Sequence, residues 1–221
     1  MSFGLRLAVI DADDMVREGR LLLLQSQADL QVVFETADPL GALELLGDYL
    51  IDVILVESRI PGLTMEKYLE RLSQALDEAG SGAQVIAMAN FVAMADELAW
   101  LKAGAAGVVS HELGASALLR LTRVLGAGDI AIERSRIDML LAEVDGPAPL
   151  HGALAISLKQ ADQSQTAVLK ALLKGSSDAE IAKDLGLTKY RVGKFLDSIK
   201  LANGFRTRTQ LAIELLGFGA F

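Results

Sequence analysis

Between residues 5 and 125 the chain alternates, five times over, a short apolar run with a longer stretch of helical period. Few folds accept that alternation. The apolar runs cover residues 5–10, 30–36, 52–57, 84–89 and 107–110, and the helical stretches cover 15–27, 39–50, 65–79, 93–102 and 115–125. Val16, Leu21, Leu22 and Leu24 cluster in the first helical stretch, Pro39 suits the first turn of the second, and Gly104, Gly126 and Gly128 punctuate the last two. Strands that each feed a helix close compactly as a parallel sheet with helices on both faces. The run DVILVE at 52–57 is apolar without alternation, as a strand covered on both sides requires. The expectation is an α/β unit with a doubly wound, five-stranded parallel sheet. Ligands of such sheets gather at the carboxyl ends of the strands. Those ends carry Asp11, Asp13, Asp14, Glu57, Ala89, Asn90 and His111.

The pattern changes after residue 128. Residues 129–157 read as a linker, in which 137–144 supply at most a helical turn or two and Gly146-Pro147-Ala148-Pro149 resist helix. From there to 221 the pattern is a small all-α unit of four helices. Asp162 caps a helix running to Leu173 and ended by Gly175. Ser177 or Asp178 caps 179–185, ended by Gly186. Thr188 caps a third helix to about Ala202, and Thr207 or Thr209 starts a fourth through Leu216. Ile181, Ala182 and Leu185 form one apolar face, Gly186 and Leu187 make a short turn, and Val192, Leu196 and Ile199 face inward from the next helix. That is the helix-turn-helix plan, whose second helix enters the major groove. Its outward side presents Lys189, Tyr190, Arg191, Lys194 and Lys200, a set suited to phosphates and base edges.

Charge separates the two parts. Residues 1–156 hold 11 basic and 23 acidic side chains, net −12, and residues 157–221 hold 10 and 6, net +4. Only the second part is suited to a polyanion. The chain has no cysteine and two histidines, His111 and His151, which leaves disulfide scaffolds, thiolate metal sites and Ser-His hydrolases without material. No apolar run nears the roughly 20 residues of a membrane span. A soluble, cytoplasmic protein is expected, with no membrane partner, no cofactor, no metal and no catalytic residues.

The second part resembles the LuxR-type (NarL/FixJ) helix-turn-helix. The resemblance rests on Val168-Leu169, Leu172-Leu173, Gly175, Glu180-Ile181-Ala182, Leu185-Gly186-Leu187-Thr188, Val192, Gly204 and Arg206-Thr207-Arg208-Thr209-Gln210. It implies a DNA-binding unit over 158–221 with 189–202 as recognition helix, and Arg206 and Arg208 join Lys200 as phosphate contacts. The chain departs from that family at Gln165, Ala167 and Ala179. It departs most at Gly193, where the family favours lysine, and acidic Asp197 lies on the side facing DNA. Altered affinity or target choice is expected.

Residues 1–128 resemble a CheY-like response-regulator receiver, through 7–11 with Val16-Arg17-Glu18-Gly19, 52–57 with Ile60-Pro61-Gly62, and 101–107. The family's phosphorylation pocket is degenerate here. Asp11 matches its first acid, but Ala12 stands in place of the second, Glu57 in place of the acceptor aspartate, Ala89 in place of the hydroxyl residue and His111 in place of the lysine. Val108 stands where the family's switch aromatic would be. Two readings of Glu57 stand: a permanently charged imitation of the modified acceptor, or a polar group kept at a strand end. His111 is expected to pair with Asp11 or Glu57, and Asp13 and Asp14 offer an alternative cation ligand set. Trp100 is expected to serve packing or an interface. The resemblance implies a dimeric transcriptional regulator on double-stranded promoter DNA, acting without aspartyl phosphorylation, with a protein or small ligand as possible effector of the receiver. Three alternatives stand: an orthodox phosphorylated regulator, a sequestering protein that no longer binds DNA, and a ligand sensor using the emptied pocket.

Overall fold

The computed structural model describes residues 4–132, 134–142 and 152–217. It divides into two compact units, Met1–Gly128 and Asp129–Phe221. Val144, Gly146-Pro147-Ala148-Pro149 and His151 lie outside the described residues.

In the first unit five strands and five helices alternate. They are β1 (Leu5–Ile10), α1 (Asp14–Gln25), β2 (Leu30–Thr36), α2 (Pro39–Leu45), β3 (Val53–Glu57), α3 (Met65–Glu78), β4 (Gln84–Ala89), α4 (Met94–Lys102), β5 (Gly107–Ser110) and α5 (Gly114–Gly126). All strand pairs are parallel and the order is β2-β1-β3-β4-β5. The chain winds outward to β2 and then returns past β1, so right-handed crossovers put α1 and α5 on one face and α2, α3 and α4 on the other. Consistent with this, α3 packs on both α2 and α4. Residues Leu7 to Ile10 and Val53 to Val56 have no exposed surface, and each large side chain so buried contributes about 1.5–3 kcal/mol. The order reverses between β1 and β3, which makes the carboxyl ends of those two strands the crevice of the fold.

Two details differ from the pattern expected. Helix α2 ends at Leu45, and a 3-10 turn over Leu46–Asp48 follows in place of a helix to residue 50. On α1 the buried stripe is Arg20, Leu21 and Leu24, while Leu22 is 70% exposed and Val16 faces outward with it.

In the second unit the helices are α6 (Arg134–Ala142), α7 (Gly152–Gln160), α8 (Gln163–Leu172), α9 (Asp178–Leu185), α10 (Lys189–Ala202) and α11 (Arg208–Gly217). The segment expected to be a linker therefore contributes two helices. Helix α6 packs on α11 and α7 on α10, with Ile137, Leu140 and Leu154 buried. The starts of the next three helices follow the expected caps. Asp162 and Gln165 form one capping box, Ser177 and Glu180 another, and the Thr188 hydroxyl accepts from the Arg191 amide. Gln165, a departure from the family pattern, thus serves the local helix start. Gly186 closes α9 at φ 64°, in the left-handed region where glycine carries no Cβ penalty.

Candidate functional site

The register of β1 against β3 pairs Ile10 with Val56, so Asp11 and Glu57 emerge side by side at the crevice. Both carboxylates are buried, with relative exposures of 1% and 6%. Two buried like charges require a counter-ion. It comes from α1: the buried Arg20 guanidinium bonds Asp11 Oδ2 through Nη1 and Glu57 Oε2 through Nη2 at 2.9 Å. His111, just past β5, closes the group. Its Nδ1 donates to Asn90 Oδ1 at 2.6 Å, and its Nε2 lies 2.6 Å from Arg20 Nη2 and 3.0 Å from Glu57 Oε2. A guanidinium nitrogen only donates, so Nε2 is the acceptor of the contact with Arg20. Of the two partners expected for His111, the structure brings Glu57 within 3.0 Å, but the two acceptors meet through their common donor, Arg20 Nη2, and not by a bond of their own.

The remaining valences of the carboxylates are met locally. Asp11 Oδ1 accepts from the Asp13 amide at 2.9 Å, and Glu57 Oε1 accepts from the amide and hydroxyl of Ser58. Burial, with the Glu57 charge adding to it, pushes the Asp11 carboxyl above its ordinary value, and the Asp13 amide and Arg20 only partly oppose this. Ala89 is buried beside Ser110 on β5, and offers no hydroxyl to the crevice. Ala12 likewise offers no carboxylate.

The receiver resemblance implies a divalent cation beside Asp11. The residues here do not fit one. The guanidinium of Arg20 already lies between Asp11 and Glu57, and no three carboxylate or imidazole groups among the described residues gather closely enough to hold a metal. Asp13 is engaged as the cap of α1, and Asp14 pairs with Arg17 at 2.8 Å. Trp100 is 7% exposed, and its Nε1 donates to Glu66 Oε1 at 2.8 Å, so it packs within the unit.

Sequence reasoning missed Arg20. The available signal was its spacing: positions 17, 20, 21 and 24 share one helix face, so a cation at 20 rides on the buried stripe and must meet an acid there.

In the second unit, Lys189, Tyr190, Arg191 and Lys194 lie on the first two turns of α10 with their side chains exposed, Tyr190 at 74%. The other three expected contacts are already engaged. Lys200 pairs with Asp197 at 3.1 Å and is largely covered. Arg206 is half-buried and not without a partner, and its backbone amide donates to Gln210 Oε1 at 2.8 Å. Arg208 forms a two-pronged ion pair with Asp178, its Nη2 lying 2.8 Å from Oδ2. Asp178 therefore is no cap; Ser177 caps α9, and Asp178 is a buried anchor for α11. Gly193 does not look outward. A Cβ there would lie 3.4 Å from Asp178 Oδ2 and 3.9 Å from Arg208 Nη2, so the helix passes directly over the ion pair.

An α/β unit with its crevice at Asp11 and Glu57, followed by a helix-turn-helix unit, is the layout of the response regulators to which the chain is similar. The comparisons with known proteins agree. No family model matches the chain. The nitrate/nitrite response regulator protein NarP of Escherichia coli is 26% identical over 208 residues, covering 94% of this chain and 93% of that protein. The DNA-binding transcriptional activator DevR/DosR of Mycobacterium tuberculosis is 25% identical over 210 residues, covering 93% and 91%. The solved complex of the two-component response regulator RcsB with DNA matches at a TM-score of 0.53 and 18% identity, covering 95% of this chain and 98% of that one, a likeness of fold. The chain's relatives over nearly its whole length are thus transcriptional response regulators. Among the described residues, no helix is long and apolar enough to cross a membrane.

Proposed function

We propose that this protein is a DNA-binding transcriptional regulator of the response-regulator kind, and that it acts without aspartyl phosphorylation. The carrying observation is the exposed set Lys189, Tyr190, Arg191 and Lys194 on the first two turns of the second helix of a helix-turn-helix. Its DNA is double-stranded promoter DNA, met in the major groove by these four side chains. Arg208 serves the fold of the unit, since its charge is held by the buried Asp178, while Lys200 shares its charge with the exposed Asp197 in a surface pair. One recognition helix buries little DNA, so a homodimer on paired half-sites about one turn apart is part of the proposal. The reading involves no turnover and places the protein in the cytoplasm.

The phosphorylation-free part rests on the crevice. A phosphoryl group arriving at Glu57 would meet Asp11 at close range, with the Arg20 guanidinium already divided between the two carboxylates.

The test is fluorescence anisotropy of the untreated full chain on genomic fragments over a salt series. Binding should weaken linearly in log-log form, and Lys194→Ala should flatten the slope by roughly one unit if Lys194 meets a phosphate. If Lys194 instead reads a base, the same variant should cost about 1–3 kcal/mol. An absence of salt-sensitive binding, with Lys194→Ala indistinguishable from the parent, would refute DNA binding. A stoichiometric phosphate adduct after a small-molecule phosphodonor, lost in Glu57→Gln, would refute the phosphorylation-free part.

A further inference from the structure

We infer that Arg20 is the resident cation of the receiver crevice, tethered to α1 and occupying the place that Asp11 and Glu57 would otherwise offer to a divalent metal ion. The inference deepens the phosphorylation-free reading. It concerns cation binding alone, so either claim can fail while the other stands.

Three groups from three strand ends converge on one guanidinium. Asp11 follows β1, Glu57 ends β3 and His111 follows β5, and each has an atom bonded to or in contact with Arg20 Nη1 or Nη2. The planar fork suits this geometry, because separate N–H vectors reach separate acceptors, which the single point charge of a lysine does not offer. Arg20 is 8% exposed, so its charge acts in a poorly screened setting. A divalent ion entering beside it would meet like-charge repulsion from a cation that cannot leave. Mg²⁺ would also need oxygens at about 2.0–2.1 Å in near-octahedral array. Those oxygens are taken: Asp11 Oδ2 and Glu57 Oε2 by Arg20, Asp11 Oδ1 by the Asp13 amide, and Glu57 Oε1 by Ser58. The backbone adds a second lock, since Arg17 on the same helix donates to the Asp11 carbonyl at 2.8 Å. In this arrangement the counter-ion is part of the folded chain, and the charge state of the crevice does not follow the metal content of the medium.

The cleft gives a spectroscopic handle. Trp100, the chain's single tryptophan, lines the same cleft as Asp11, Asp13 and Glu57. Terbium bound there would be sensitised by Trp100. The parent protein should show no saturable sensitised emission, and its melting temperature should be the same in EDTA and in millimolar Mg²⁺. Arg20→Gln removes the cation and strands two buried carboxylates. It should gain saturable terbium emission, competed by Mg²⁺, and a Mg²⁺-dependent rise in melting temperature of about 3 °C or more. Adding Glu57→Gln to that variant should abolish both gains. Arg20→Lys, which keeps the charge without the fork, should give intermediate emission. Should Arg20→Gln fold only when Mg²⁺ is present, that too supports the inference. Should it not fold at all, the parent protein and Arg20→Lys decide. Saturable terbium emission from the parent that Glu57→Gln removes would overturn the inference. So would an Arg20→Lys or folded Arg20→Gln protein as indifferent to cations as the parent.

Discussion

Replacing Arg208 by alanine should cost the second unit about 3–4 kcal/mol. The magnitude follows from what is left behind. The side chains of Asp178 and Arg208 are only 5% and 12% exposed, and two N–H groups of the guanidinium meet the two carboxylate oxygens. Removing one partner of a buried pair costs about 3–5 kcal/mol, chiefly because the other charge stays desolvated. Asp178 lies in the first turn of α9, where the positive end of the helix offsets about 0.3–1 kcal/mol, which favours the lower part of the range. Hydrogen exchange on the full chain reads this directly, since amide protection across α9 to α11 reports the opening of that unit. Exchange there should accelerate roughly 100- to 1,000-fold, because each 1.4 kcal/mol is tenfold, and amides of β1 to β5 should be unaffected. Asp178→Asn combined with Arg208→Gln removes both charges and should recover at least half of the loss. An acceleration below tenfold, or a double variant as damaging as the sum of the singles, would refute the buried-pair reasoning. Loss of DNA affinity in Arg208→Ala without faster exchange would restore the phosphate-contact role that the family resemblance implies.

Gly193→Ala should stabilise the second unit by about 1 kcal/mol, the helix-propensity gain, because a Cβ at 3.4 Å from Asp178 Oδ2 is an ordinary contact. Exchange in α10 should slow about fivefold; faster exchange would mean that the methyl displaces the ion pair. Carboxyl NMR of the first unit should place Asp52 below the ordinary aspartate range, through its side-chain bonds from Arg6 as the leading cause, and Asp11 above it, through burial. The signs differ in consequence. The Asp52 contribution is present at neutral pH and lost as the pH falls through its depressed folded value. The Asp11 carboxylate is instead a cost, incurred as the pH rises through its elevated folded value. Arg6→Ala should return Asp52 toward the ordinary range, and the reverse order of titration for the two groups would contradict the assignment.

Much of the architecture was legible because it follows from local rules. Helices closed by glycine, as at Gly186, and helices begun by Asp162, Ser177 and Thr188, are short-range decisions of hydrogen bonding and backbone freedom, and they hold. The identities at the crevice were legible too, since Ala12, Glu57, Ala89 and His111 lie at or just past strand ends that the alternation locates, and the receiver resemblance marks them as departures. The linker was misjudged. Its proline-glycine centre suggested a spacer, yet α6 and α7 on either side are held by packing on α11 and α10, contacts distant in sequence.

The amino-acid sequence by itself determined the two-part plan, the parallel sheet and the helix-turn-helix, because each is carried by neighbours along the chain. Only the tertiary structure decided which charges are free. Arg208 looks like any other cation in the sequence and only helix spacing sets Arg20 apart, but Arg20 lies between Asp11 and Glu57 and Arg208 against Asp178, while Lys189, Arg191 and Lys194 stay exposed. The physical reason is that a charge is defined by its surroundings. Desolvation and the reach of a partner 37 or 30 residues away set whether it holds the fold together or remains available to an anion outside it.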